Sequence, residues 1–192
     1  MTNHSSVSAV LRKGAEIFRK QPSARLDSEI LLAYVLSIPR TKLYTDSSAL
    51  VTKAQEQKYI GYVEKRLKGV PIPYITGCSE FWSLPIIVTK DVLIPRPETE
   101  LLVEIAKELS GLFQKALTVA DAGTGSGAIA AAYAKENPSA KIVATDTSTA
   151  ALAVAKRNFD KLDVNHIELV RDDWLKAICI NSLDMIITNS PY

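Results

Sequence analysis

The sequence holds few of the residues that serve metal and redox chemistry: two cysteines, two histidines and two methionines among 192 residues. Cys78 and Cys179 lie far apart and no CxxC spacing occurs, which argues against a disulfide framework and a structural zinc site and favours a reducing compartment. No apolar run approaches the roughly 18 residues of a membrane span. The N-terminus, MTNHSSVSAVLRKG, lacks the basic start and apolar segment of a secretory signal. Charge of one sign is missing too: 23 basic and 21 acidic residues are interspersed, with a net charge of +2 and no footprint for nucleic acid. Together these absences lead us to expect a cytoplasmic protein without a metal, a membrane segment or direct nucleic-acid binding.

What is present suits a folded domain or two, since 47% of the residues are apolar. Residues 1–70 carry helical patterns. Val7, Val10, Leu11, Ile17 and Phe18 fall on one face, and Leu26, Ile30, Leu31, Tyr34 and Val35 follow with helical spacing. Thr52 and Gln55 make a capping-box signal ahead of Ile60, Val63 and Leu67, and Gly69 stops that helix. The stretch 71–96 is proline-rich, with Tyr74–Thr76 and Leu84–Thr89 read as short strands around a turn near Gly77, a hairpin linking two domains. From Pro97 a helix restarts, with Glu98 and Glu100 at its dipole-positive end and Gly111 as its stop. Strands and helices then alternate: ALTVADAG, SGAIAAAYAKEN, AKIVATD, STAALAVAKRNFD, HIELVRDD and SLDMIITNSPY. This pattern predicts right-handed crossovers and a parallel sheet.

DAGTGSGAIA lies between a strand and a helix, where Gly123, Gly125 and Gly127 let the backbone turn sharply and approach a ligand. Asp146, at the end of the next strand, is placed to accept from both hydroxyls of a ribose. The pair points to a nucleoside-containing cofactor. Gly125, Gly127 and Ala130 also satisfy the dinucleotide form G-x-G-x-x-A, so a nicotinamide enzyme is one reading. Two features favour S-adenosylmethionine. Asp121 precedes the glycines, where a carboxylate suits a cationic aminoacid group, and RDDW places Asp173 and Trp174 after the third strand, an acceptor for adenine's amine beside an apolar wall. The alternative reading of RDDW is a capped helix start at Asp172 or Asp173 with Trp174 in the core.

In their order and spacing, PIPYITGCSEFW, PRPETE, DAGTGSGAIA, ATDTSTAALAVAKRN, RDDW and ITNSPY resemble the family that methylates the side-chain amide of glutamine in peptide-chain release factors. The resemblance implies a helical N-terminal domain (1–70) that docks the release factor, a β-hairpin linker (71–96) and a class I methyltransferase domain (97–192). That domain is α/β with a Rossmann-like parallel sheet, here incomplete, its four strands expected in the order 3-2-1-4. The implied cofactor is S-adenosyl-L-methionine, held by Gly123, Thr124, Gly125, Ser126 and Gly127 at its aminoacid end, Asp146 at the ribose, and Asp173 and Trp174 at the adenine, with Asn189 alongside. Asn189, Ser190, Pro191 and Tyr192 are the implied catalytic and substrate-binding residues, and the implied partner is a class 1 release factor, methylated by a monomeric enzyme at the glutamine of its Gly-Gly-Gln motif.

Two departures stand out. The family pattern is Asn-Pro-Pro-Tyr, and Ser190 gives up a fixed φ while keeping the backbone carbonyl. The family also continues well past this tetrapeptide, so strand four is expected as an open edge, and the chain is expected to be a fragment, a premature stop or an incompletely read gene. Other readings stay open: a methyltransferase acting on adenine N6 or another protein amide, and a non-catalytic release-factor-binding module. His4 and His166 are assigned surface or structural roles. Arg96, Glu98 and Thr99 either border the cofactor pocket or cap a helix.

Overall fold

Apolar residues at helical spacing, closed off by side-chain caps, build the N-terminal part of the chain. The computed structural model describes residues 5–19, 22–179 and 181–189, and the chain divides into two compact units, Met1–Thr76 and Gly77–Tyr192. The first unit runs β1 (Ser5–Ser6), α1 (Val7–Ile17), α2 (Ala24–Leu36), α3 (Lys42–Thr45), β2 (Leu50–Val51), α4 (Lys53–Leu67) and α5 (Ile72–Thr76). The Ser6 hydroxyl accepts from Ala9 N to start α1. Thr52 and Gln55 form the expected reciprocal capping box of α4.

The core of this unit gathers Val7, Val10, Phe18, Leu31, Leu32, Leu43, Val51, Tyr59 and Val63. Its helices face inward differently from the expectation at several points. Ile17, Leu26 and Tyr34 are exposed, whereas Asp27, Ser28 and Glu29 are buried. The reason is polar pairing: Arg66 Nε donates to Asp27 at 2.7 Å, Glu29 pairs with Arg25 and Arg40 and accepts from Tyr44, and Ser28 and Tyr59 share a 2.5 Å hydrogen bond. Buried charges are tolerated when paired in this way. The strand expected at Tyr74–Thr76 is instead the end of α5, whose prolines sit at its start where no helical N–H is needed. The unit therefore ends at Thr76, beyond the boundary expected at residue 70.

The second unit opens with a hairpin of β3 (Cys78–Phe81) and β4 (Leu84–Ile87), paired Phe81 to Leu84 at the tip. The turn is not near Gly77 but at Trp82 and Ser83, both at positive φ (52° and 57°), as the two-residue turns matching strand twist require. Such a conformation is unfavourable for a bulky residue. It is held by Trp82 N donating to Glu100 at 2.7 Å and Trp82 Nε1 donating to Glu136 at 2.8 Å. A 3-10 turn, Pro97–Thr99, leads into α6 (Glu100–Ser110).

Then follow β5 (Thr118–Ala122), α7 (Ala128–Glu136), β6 (Lys141–Asp146), α8 (Thr149–Leu162), β7 (Glu168–Arg171) and β8 (Met185–Thr188). These four strands form one parallel sheet in the order β7-β6-β5-β8, the 3-2-1-4 order expected, and the fold is the α/β class I methyltransferase type. Central β5 is buried from Val119 to Ala122, and the alanines of α7 are buried with it, small side chains letting the helix lie close on the sheet. In register, Asp121 stands beside Ala144 and Ile187, and Ala122 beside Thr145 and Thr188. The carboxyl ends of β5, β6 and β8 thus arrive at one edge, the place where open parallel sheets bind ligands.

Two glycines make opposite tests of this packing. A Cβ on Gly14 would lie 1.6 Å from Tyr59 Oη, while one on Gly61 would meet nothing within 4 Å. Gly14→Ala is expected to cost about 1–3 kcal/mol from overpacking, and Gly61→Ala to gain about 0.5–1 kcal/mol from helix propensity. Urea denaturation of both variants reads the difference.

Candidate cofactor and acceptor site

Beyond β5 the chain turns through a loop in which Gly123, Gly125 and Gly127 all take positive φ, at 76°, 54° and 77°. Gly123 N and Thr124 N both donate to Thr145 O, at 2.9 and 2.8 Å, tying the loop to β6. Gly127 answers a second demand. A Cβ there would fall 2.6 Å from the Phe159 ring, so its lack of a side chain is what lets α8 pack against the loop.

Asp121 lies beneath this loop and not on its open side. It is 1% exposed, and Oδ2 accepts from Thr124 Oγ1 at 2.6 Å and from Ala130 N at 3.2 Å. Its Oδ1 is buried with no hydrogen-bond partner. Burial pushes the Asp121 carboxyl up to about 6, against the opposing pull of the Thr124 and Ala130 hydrogen bonds and with a further push from Asp146. Asp121, expected to suit a cationic aminoacid group, is thus held under the loop by its own hydrogen bonds.

Asp146 ends β6, the position the strand pattern predicts. Its Oδ2 accepts from Gly125 N and its Oδ1 from Ser148 N, each at 2.9 Å. Carboxylate oxygens have further lone pairs, so both remain able to take ligand hydroxyls. The loop, Asp146, Trp174, Thr99 and Asn189 all line one cavity of about 970 Å³, at the upper end of small-molecule sites. Gly123, Thr124, Gly125 and Ser126 face it; Gly127, turned toward Phe159, does not.

Of the two aspartates in RDDW, the structure brings Asp172 to the cavity wall and leaves Asp173 outside it. Asp173 pairs with Lys176 on the surface; Asp172 N continues the sheet pairing to Asp146 O at 3.1 Å, and the Asp172 carboxylate accepts from Asp173 N at 2.7 Å and Ala177 N at 2.9 Å, capping the turn that follows β7. Trp174, at φ 57° and 60% exposed, is a cavity wall and not the core residue of the alternative reading. Arg96, Glu98 and Thr99 all line the cavity; the proline turn is present at Pro97–Thr99, but neither it nor α6 has a side-chain cap hydrogen bond, so the helix-cap reading of PRPETE is not met. His166 is exposed and absent from the lining. Ser190, Pro191, Tyr192 and His4 lie outside the described residues.

Asn189 follows β8 directly. Thr188 Oγ1 donates to Ala122 O at 2.8 Å, and Asn189 Nδ2 donates to Thr99 Oγ1 at 3.0 Å. One residue of consequence escaped the sequence reading. Asn158 of α8 is fully buried; its Oδ1 accepts from Ile87 N at 2.7 Å, and its Nδ2 donates to Ile87 O at 3.0 Å and Ser126 O at 2.8 Å. It ties the hairpin to the glycine loop. The available signal was a lone amide on the helix face that carries Val154, Ala155, Phe159 and Leu162, where an unpaired polar group would be costly.

Residues 9–77 match the family model described as the PrmC N-terminal domain, and residues 97–192 match the methyltransferase small domain. Three curated relatives bear the name release factor glutamine methyltransferase. The protein from Shewanella oneidensis is 38% identical over 193 residues, spanning 100% of this chain and 67% of its own. The Salmonella typhimurium protein is 40% identical, with 95% of this chain and 65% of its own covered. The Coxiella burnetii protein is 44% identical, with 88% and 60% covered. The chain thus spans between 60% and 67% of the lengths of these relatives.

Asn158→Ala would leave Ile87 N, Ile87 O and Ser126 O without their partner. The expected cost is about 2–4 kcal/mol of stability, read by denaturant unfolding. For Asp121 the folded carboxyl binds its proton more tightly than the ordinary value of 3.8. Its contribution to stability is then fully present below about 3.8 and is lost as pH rises through about 6. Relative to Asp121→Asn, the native protein is expected to lose roughly 2–3 kcal/mol between pH 4 and pH 7, measured by unfolding at both pH values.

Proposed function

Since the chain belongs to the release factor glutamine methyltransferase family, we propose that it serves methyl transfer from S-adenosylmethionine to the glutamine side-chain amide in the Gly-Gly-Gln motif of class 1 release factors. The methyl donor of the family is S-adenosylmethionine, and the residues present fit it: a buried, unpartnered acidic oxygen behind a glycine loop, a strand-end carboxylate, and an aromatic wall around one cavity. The observation that carries the proposal is that Asn189 opens onto this same cavity. Cofactor loop and acceptor anchor share one space.

When bound, S-adenosylmethionine supplies a methyl carbon on a sulfonium, which leaves as a neutral thioether. The chain's residues have a different task. An amide nitrogen is a weak nucleophile because its lone pair is delocalised into the carbonyl, and orienting it is the main thing a site can do. In this reading Asn189 Oδ1 and the backbone carbonyl of residue 190 accept the two amide hydrogens, and Tyr192 covers the amide plane. The nitrogen forms the new C–N bond and its proton leaves to water. Well-oriented geometry of this kind is worth roughly 7–11 kcal/mol. Asp146 holds the ribose, Gly123 to Ser126 pass around the aminoacid end, and Trp174 with Asp172 borders the adenine. Asp172 takes the role first expected of Asp173, which faces away. Helical residues 1–70 are assigned to docking the release factor, a reading supported by the match to the PrmC N-terminal domain.

Calorimetry with S-adenosylmethionine, alongside a thermal melt, is the first test. Saturable binding with a raised melting temperature is expected. Incubation with labelled cofactor and a class 1 release factor is then expected to label the Gly-Gly-Gln form and not a Gly-Gly-Ala variant, with Asn189→Ala lowering transfer about 10²-fold or more. Label on adenine-containing DNA instead would select the exocyclic-amine reading.

A further inference from the structure

We propose that Thr99 is a positioning residue for methyl transfer, its hydroxyl deciding which end of the Asn189 carboxamide faces the acceptor. This rests on the reading of Asn189 as the anchor of the glutamine amide.

The two ends of a carboxamide are nearly the same shape and opposite in chemistry: oxygen accepts, nitrogen donates. Rotation by half a turn about the last side-chain torsion exchanges them with little steric consequence. An acceptor amide presents N–H groups, so only the oxygen end of Asn189 can serve it. The nitrogen end would set donor against donor.

Asn189 is itself exposed, just after β8. The selection comes from far along the chain. Thr99, ninety residues earlier, is 8% exposed and held in a 3-10 turn by its own N–H donating to Arg96 O at 3.0 Å. Its Oγ1 takes the Asn189 Nδ2 hydrogen at 3.0 Å. With the nitrogen end engaged there, Oδ1 is the end left for the cavity that both residues line. A hydroxyl can also donate, so the orientation itself is the quantity to measure.

The experiment compares the native chain with Thr99→Val, which keeps the branched shape and removes the hydroxyl, and with Thr99→Ser, which keeps the hydroxyl. Side-chain amide resonances of Asn189 are followed in ¹H–¹⁵N spectra, and methyl transfer to a Gly-Gly-Gln peptide is assayed with labelled S-adenosylmethionine. Thr99→Val is expected to shift the Asn189 NH₂ pair and to lower turnover about five- to tenfold, the scale of one hydrogen bond, with cofactor affinity and melting temperature unchanged. Thr99→Ser is expected to restore both readouts. Unchanged resonances and turnover in Thr99→Val would overturn the proposal, as would a loss that Thr99→Ser fails to rescue or that follows the melting temperature. Should the native chain bind cofactor yet transfer no methyl to the peptide, the functional reading falls and Thr99 loses its role in transfer. The amide spectra would still report separately whether Thr99 orients Asn189.

Discussion

A carboxylate buried under the glycine loop governs the arrangement of the second unit. Desolvating Asp121 is unfavourable, and two of the groups that offset it, Thr124 Oγ1 and Ala130 N, belong to the loop and to the first turn of α7. Strand, loop and helix are therefore joined through one oxygen at the point where the backbone must reverse. The other oxygen has no partner. The neighbouring Asp146 adds a second negative charge close to it.

Three further contacts keep that loop from collapsing into the cavity. Asp146 grips Gly125 N, Thr145 O takes two backbone N–H groups, and Asn158 holds the Ser126 carbonyl from below. Two come from β6 and one from α8, and each is directed at the backbone. The loop's shape is thus set largely by hydrogen bonds to its main chain, with the Thr124 hydroxyl turned inward onto Asp121. The hairpin joins this network through Asn158, and is further held by Lys161 Nζ donating to Pro85 O and by the two carboxylates that stabilise the Trp82–Ser83 turn.

Much of this was legible in the primary sequence where local physics decides. The capping box at Thr52, the glycines between strand and helix, and the alternation that predicts a parallel sheet depend on residues close together in the chain. The hairpin was misplaced because the informative residues there, Trp82 and Ser83, are poor formers of a positive-φ turn, held by Glu100 and Glu136 that no local pattern connects to them. Tyr74–Thr76 was read as a strand because a β-branched, aromatic triplet satisfies that propensity equally well; packing in the helical unit selected the helix.

The amino-acid order by itself determined most element types of the second unit and the glycine turn after β5, because periodicity and glycine content are properties of neighbouring residues, while the strand order came from the family resemblance. Only the tertiary structure decided that Asp121 is a buried brace, that Asp172 and not Asp173 turns to the cavity, that Asn158 ties hairpin to loop, and that Thr99 meets Asn189. The Asn158 and Thr99 contacts join segments far apart in the chain, and a hydrogen bond between distant segments leaves no periodic trace in either one.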